Sequence, residues 1–92
     1  MLRKLEEVCV EALEVFGSNN AKDKVIEEMA ELIVALKQLD QNRVTLQEVA
    51  SEIADVEITL TKLKIALYDK DDYENALRTK ILKLENQIIL AR

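Results

Sequence analysis

The sequence predicts an all-α protein: a four-helix chain with a central antiparallel helical hairpin, its bundle completed by homo-oligomerisation. Three observations carry this expectation. The 92 residues include no proline, one glycine and 3% aromatics. That is too little turn punctuation for a fold made of many β-hairpins. Apolar residues recur at three- and four-residue spacing through four segments, and three short polar breaks separate them. A chain of this length forms one domain, spanning 1–92.

The first helix is expected from Leu2 to Phe16. Leu2, Leu5, Val8, Cys9, Ala12, Leu13 and Phe16 share one face. Gly17 can stop it by taking a left-handed conformation without steric cost. Ser18, Asn19 and Asn20 offer the next N-cap. The second helix is expected from Ala21 to Leu39, with Val25, Met29, Leu32, Ile33, Leu36 and Leu39 along one face. Asp40, Gln41 and Asn42 break it. The third begins at Thr45, where Thr45 and Glu48 have the spacing of a capping box. Its stripe is Leu46, Val49, Ile53, Val56, Leu60, Leu63 and Leu67, and Tyr68 to Asp71 end it. The fourth starts near Asp71 or Asp72 and carries Tyr73, Leu77, Ile81, Leu84 and Ile88 to the C-terminus.

Helices two and three have more apolar surface than one face can hold. Ala30 and Val34 lie off the main stripe of the second helix. Ala54, Ile58 and Ile65 make a second stripe on the third. A chain this small buries roughly 60–70% of its surface. The extra apolar faces point to another copy; cover by the first or fourth helix is the alternative.

Composition also limits the chemistry. There is no histidine, which excludes imidazole zinc sites and Ser-His or Cys-His nucleophile pairs within one chain. Cys9 is the single cysteine, so no internal disulfide forms, and a reducing cytoplasm is the expected location. No long apolar run or signal-peptide pattern occurs, so a membrane is not an expected partner. The net charge of -5 and the lack of a basic stripe argue against a nucleic acid polymer. The eighteen acidic residues are the abundant reactive groups.

Four of them form a pattern. Glu28 and Glu31 on the second helix, and Glu52 and Asp55 on the third, are acidic pairs at i and i+3. Like charges at this spacing repel. The short connection makes the two helices antiparallel neighbours. Positions equidistant from the loop midpoint then stand at one height. Glu31 faces Glu52, and Glu28 faces Asp55, about the same midpoint. Only Glu28 has a basic residue one turn away, Lys24. Convergent carboxylates of this kind call for a counterion, and an all-oxygen donor set suits Mg2+ or a similar hard cation. Solvated surface acids are the plain alternative in a chain that is 34% charged.

Glu27-Glu28-Met29-Ala30-Glu31-Leu32, followed after the loop by Glu52-Ile53-Ala54-Asp55-Val56, resembles the paired acidic signature of the all-α nucleoside triphosphate pyrophosphohydrolases. These are the MazG-like proteins, relatives of the dimeric dUTPases and of phosphoribosyl-ATP pyrophosphatase. The likeness covers about residues 15 to 68 and looks most like the short phage and prophage versions. It implies a bundle completed as a homodimer or homotetramer, in which Glu28, Glu31, Glu52 and Asp55 bind Mg2+ (or Mn2+) and serve catalysis. It implies cleavage of a nucleoside triphosphate between the α and β phosphates, giving a monophosphate and pyrophosphate, as nucleotide-pool housekeeping. Lys80 and Lys83 sit where these proteins place a basic pair on the last helix and are candidate triphosphate contacts. Lys24 and Lys62 are further candidates, each near an acidic pair on the helical wheel. Two departures stand out. Leu84 follows Lys83 where an asparagine is frequent, and Asp55 is followed by Val56-Glu57 rather than Tyr-His. Phe16, Tyr68 and Tyr73 are the only aromatics for base stacking. A non-catalytic helical interaction protein that keeps a metal or nucleotide site is the alternative reading.

Overall fold

The computed structural model describes residues 3–67 and 69–92. They form four α-helices and no strand: α1 Leu5–Phe16, α2 Ala21–Asp40, α3 Leu46–Leu67 and α4 Lys70–Ala91. The readings that place Leu2 in the first helix and Tyr68 in a break or a stacking role lie outside the described residues.

Local chemistry sets the helix ends. Gly17 ends α1 at φ 81° and ψ 177°, and its N–H donates to the Leu13 carbonyl at 2.8 Å. The positive φ agrees with expectation. The extended ψ places the residue in a region essentially restricted to glycine, beyond the left-handed helical basin. A Cβ added there would meet no atom within 4 Å. Gly17→Ala should therefore cost backbone strain alone, on the order of 1–3 kcal/mol. A denaturant titration would show this as a lower midpoint with an unchanged slope.

α2 ends in a Schellman arrangement. The Arg43 N–H donates to the Gln38 carbonyl at 2.9 Å, and the Asn42 N–H donates to the Leu39 carbonyl at 3.0 Å. Asn42 takes the required left-handed position at φ 58°, a place that asparagine tolerates when glycine is absent. The capping box then starts α3. The Thr45 N–H donates to Glu48 Oε2, and the Glu48 N–H donates to Thr45 Oγ1, each at 3.1 Å. Two reciprocal caps thus close the connection between α2 and α3. α4 begins before Asp71: Asp69 is its N-cap, and the Asp71 N–H donates to Asp69 Oδ1 at 2.8 Å.

α3 is the central helix. α2 lies along it as a hairpin, α1 packs on it less extensively, and α4 touches it only sparsely. The buried residues are small: Cys9, Ala21, Val25, Ala35, Val49 and Thr59. Cys9 is 1% exposed, and its thiol lies 3.8 Å from the Ile58 carbonyl. Burial pushes that thiol up, and the charge of Lys62 opposes the shift. Thr59 satisfies its buried hydroxyl within its own helix, on the carbonyls of Asp55 at 3.0 Å and Val56 at 3.1 Å.

Many stripe residues stay exposed in the single chain, among them Leu5, Met29, Ile33, Leu36, Leu46, Ile53 and Leu67. Periodicity identifies the apolar face of each helix, but one chain of four helices leaves much of that surface uncovered. The radius of gyration is 16.2 Å, against about 12 Å for a compact chain of this length. No helix among the described residues is long and apolar enough to cross a membrane.

Candidate metal centre

The α2–α3 hairpin brings three of the four expected carboxylates together. Glu28 and Glu31, one turn apart on α2, meet Glu52 from α3. One carboxylate oxygen of each lies within 4.8 Å of the others. Glu28 and Glu52 are half-buried, and Glu31 is exposed. The mirrored register about the loop accounts for the meeting, since it sets Glu31 and Glu52 at one height.

Asp55 stands outside this triad. It is exposed, and its charge still acts on Glu28.

The electrostatics leave a net negative patch. Lys24, the basic neighbour available to Glu28 in the sequence, pairs with Glu27 at 3.5 Å instead. Among the described residues no lysine or arginine forms a salt bridge with Glu28, Glu31, Glu52 or Asp55. Burial raises the Glu28 carboxyl above the usual carboxylate range. The Glu31 carboxylate beside it raises it further, followed by the charges of Asp55 and Glu27. Glu28 Oε2 and Glu52 Oε2 are both buried without a hydrogen-bond partner.

Those two oxygens test the fit of a cation. A buried polar atom without a partner is normally accounted for by a water or an ion. Carboxylate oxygens from two helices are hard donors, with no thiolate or imidazole among them. Such an all-oxygen set could hold a metal ion and suits the hard cations rather than soft metals.

Beside the triad lies an open groove of ≈ 470 Å³. Glu31 and Glu52 belong to both. Ala30, Val34, Ala35 and Val44 supply apolar walls, and Gln38 and Glu48 add polar groups. Apolar periodicity alone does not mark this groove, although the sequence holds a signal for it. Glu31, Val34, Ala35 and Gln38 follow the i, i+3, i+4, i+7 spacing of one helix face. Ala35 mirrors Glu48 about the same midpoint that pairs Glu31 with Glu52. The groove continues the register of the carboxylates toward the loop.

The candidate lysines are dispersed. Lys24 is engaged with Glu27, and Lys62 is half-buried on α3. Lys80 and Lys83 are exposed on α4, which does not contact α2. Phe16 is 86% exposed, and Tyr73 receives Lys64 Nζ at 4.4 Å from its ring centre. Neither aromatic lines the groove.

Compared with known protein families, curated proteins and solved structures, the chain matches none. Fold and site together define an all-α four-helix protein with a glutamate triad between two antiparallel helices.

Proposed function

We propose that the chain is a Mg2+-dependent nucleoside triphosphate pyrophosphohydrolase that converts an NTP or dNTP to its monophosphate and pyrophosphate. The observation that carries this reading is the triad itself: three carboxylates from two helices with two buried oxygens that lack protein partners. The sequence resemblance to the MazG-like enzymes supplies the reaction class, and a cytoplasmic, nucleotide-pool role goes with it.

Glu28, Glu31 and Glu52 would hold the cation, with Asp55 adding charge from one turn away. A bound Mg2+ supplies charge neutralisation for phosphate oxygens and acidifies water. The chain supplies positioning, which is most of what phosphoryl chemistry requires. With no histidine present, proton acceptance falls to a carboxylate of the cluster. Asp55, outside the triad and exposed, is free for that task. The groove beside Glu31 and Glu52 would seat the nucleoside. Its walls are aliphatic, so the base is gripped by contact area rather than by stacking, and the Gln38 amide offers a donor and an acceptor. Lys80, Lys83, Lys24 and Lys62 remain the candidate triphosphate contacts.

Calorimetric titration of Mg2+ and Mn2+, with and without nucleotide, tests the site. Binding of either ion that is lost in Glu31→Gln supports it, and no heat with either ion contradicts it. A second prediction concerns the groove. Val34 is 53% exposed, so Val34→Trp should fold normally while filling the space. It should raise KM by about tenfold or more and leave Mg2+ affinity unchanged. An unchanged KM would remove the groove from substrate binding. Metal and nucleotide binding without turnover across a broad panel would favour the non-catalytic alternative.

A further inference from the structure

The groove beside the triad is rich in acceptors and poor in donors. Four polar side chains line it: Glu31, Glu48, Glu52 and Gln38. Three are carboxylates, which only accept hydrogen bonds. The Gln38 amide is the one side-chain donor along the walls, and among the described residues no lysine or arginine lines them. A well-matched occupant therefore donates more hydrogen bonds than it accepts.

Register divides these groups between two ends. Glu31 and Glu52 stand at the triad. Glu48 lies one turn from Glu52 toward the loop, about 6 Å along α3. Gln38 lies two turns from Glu31 in the same direction, about 10 Å along α2. That interval leaves room for a sugar between a phosphate at the triad and a base at the loop end. Val34, Ala35 and Val44 supply aliphatic surface along it.

The chain holds both loop-end residues in place. The capping box fixes Glu48, whose Oε2 accepts from the Thr45 N–H at 3.1 Å. A carboxylate oxygen has two lone pairs, so both oxygens of Glu48 keep acceptor capacity. Gln38 is half-buried, and its carbonyl accepts the Gln41 and Arg43 N–H groups at 3.1 and 2.9 Å. Its side-chain amide takes no part in that cap.

The bases differ in how they suit this pair. The Watson–Crick edge of guanine carries the O6 acceptor and then two adjacent donors, N1–H and the 2-amino group. A carboxylate can take both donors while an amide donates to O6. Cytosine and adenine set one amino donor beside an acceptor ring nitrogen, which would place lone pair against lone pair at Glu48. Uracil and thymine place one N–H between two carbonyls, and the groove has one donor for the two.

We propose that Glu48 and Gln38 make the groove selective for guanine, so that the substrate is a guanine nucleoside triphosphate. The inference rests on the reading of the groove as the nucleoside seat. A two-bond pairing with a base edge discriminates on the order of tenfold to a hundredfold.

Hydrolysis rates in Mg2+ with GTP, dGTP, inosine triphosphate, ATP, CTP and UTP test the selectivity. For GTP or dGTP, kcat/KM should exceed that for ATP, CTP and UTP by tenfold or more. Inosine triphosphate, which lacks the 2-amino group, should fall about tenfold below GTP. Glu48→Gln keeps a residue suited to the capping box and should lower the GTP-to-ATP ratio tenfold or more. Gln38→Met leaves the backbone cap in place and should lower the same ratio. NMR titration with GMP, AMP, CMP and UMP supplies a readout independent of turnover, and GMP should shift the Gln38 side-chain amide at the lowest concentration. Hydrolysis of another triphosphate as efficiently as GTP would overturn the selectivity and leave the hydrolase reading standing. No hydrolysis, with GMP still preferred at Gln38, would remove the hydrolase reading and support the guanine site. GMP binding no tighter than AMP, or a guanine preference that survives both variants, would overturn the proposal.

Discussion

Glu31→Gln and Glu52→Gln should each lower pyrophosphate release by a hundredfold or more while leaving the helical content unchanged. The size follows from position. Each residue is a member of the triad and also lines the groove, so each would hold the cation and border the substrate. Replacing a charged oxygen with an amide keeps the shape and removes the donor on which a hard cation depends. Loss of a group stabilising charge in the transition state costs about 10²–10³ in rate in well-studied enzymes. Circular dichroism separates this effect from unfolding. Full activity in both variants would show that the triad is not the catalytic centre.

Glu28→Gln should raise stability in the absence of metal. Most substitutions at a half-buried position destabilise. Here the native carboxyl is already strained by burial and by the neighbouring acids, so in metal-free buffer at neutral pH the variant should melt at a higher temperature than the wild type. The pH dependence has a definite sign. A carboxyl whose folded pKa lies above its unfolded value binds more protons when folded, so stability falls as pH rises between the two. Glu28 contributes fully below the ordinary value of 4.5, and that contribution is lost as pH climbs through the raised folded value. Glu28→Gln should flatten this descending limb. Mg2+ should reverse the ranking, since a ligand at a hundred times its Kd stabilises the folded state by about 2.7 kcal/mol. The wild type should gain that increment and the variant should not. Melting curves at several pH values, with Mg2+ and with a chelator, check both effects.

The elements that were legible in the sequence are those fixed by local chemistry. Gly17 and the Thr45–Glu48 box mark ends that the backbone cannot easily place elsewhere. The short loop makes α2 and α3 antiparallel, and from that alone Glu31 and Glu52 come level. Less legible were features that depend on side-chain placement or on competition between equivalent partners. Lys24 could pair at i+3 or i+4, and it pairs with Glu27. Asp69, Asp71 and Asp72 are all competent caps, and Asp69 takes the role. Asp55 mirrors Glu28 about the loop, yet it is not part of the triad. Burial was the least legible property. A stripe such as Met29, Ile33 and Leu36 shows which face is apolar, and says nothing about whether the same chain covers it.

The groove illustrates a related limit. Its walls are Ala30, Val34, Ala35 and Val44, residues whose types carry no chemical signal. The information lay in their register relative to Glu31 and Glu52, which only a folded hairpin makes plain.

Product identification is the decisive test of pyrophosphohydrolase activity. The protein is incubated with a panel of ribonucleoside and deoxyribonucleoside triphosphates, with Mg2+ or with a chelator, and the phosphorus-containing products are resolved. Equal amounts of a nucleoside monophosphate and pyrophosphate are expected from at least one substrate, formed only with the cation and absent in Glu31→Gln. Release of diphosphate and inorganic phosphate, cation-independent turnover, or no turnover of any triphosphate would contradict it.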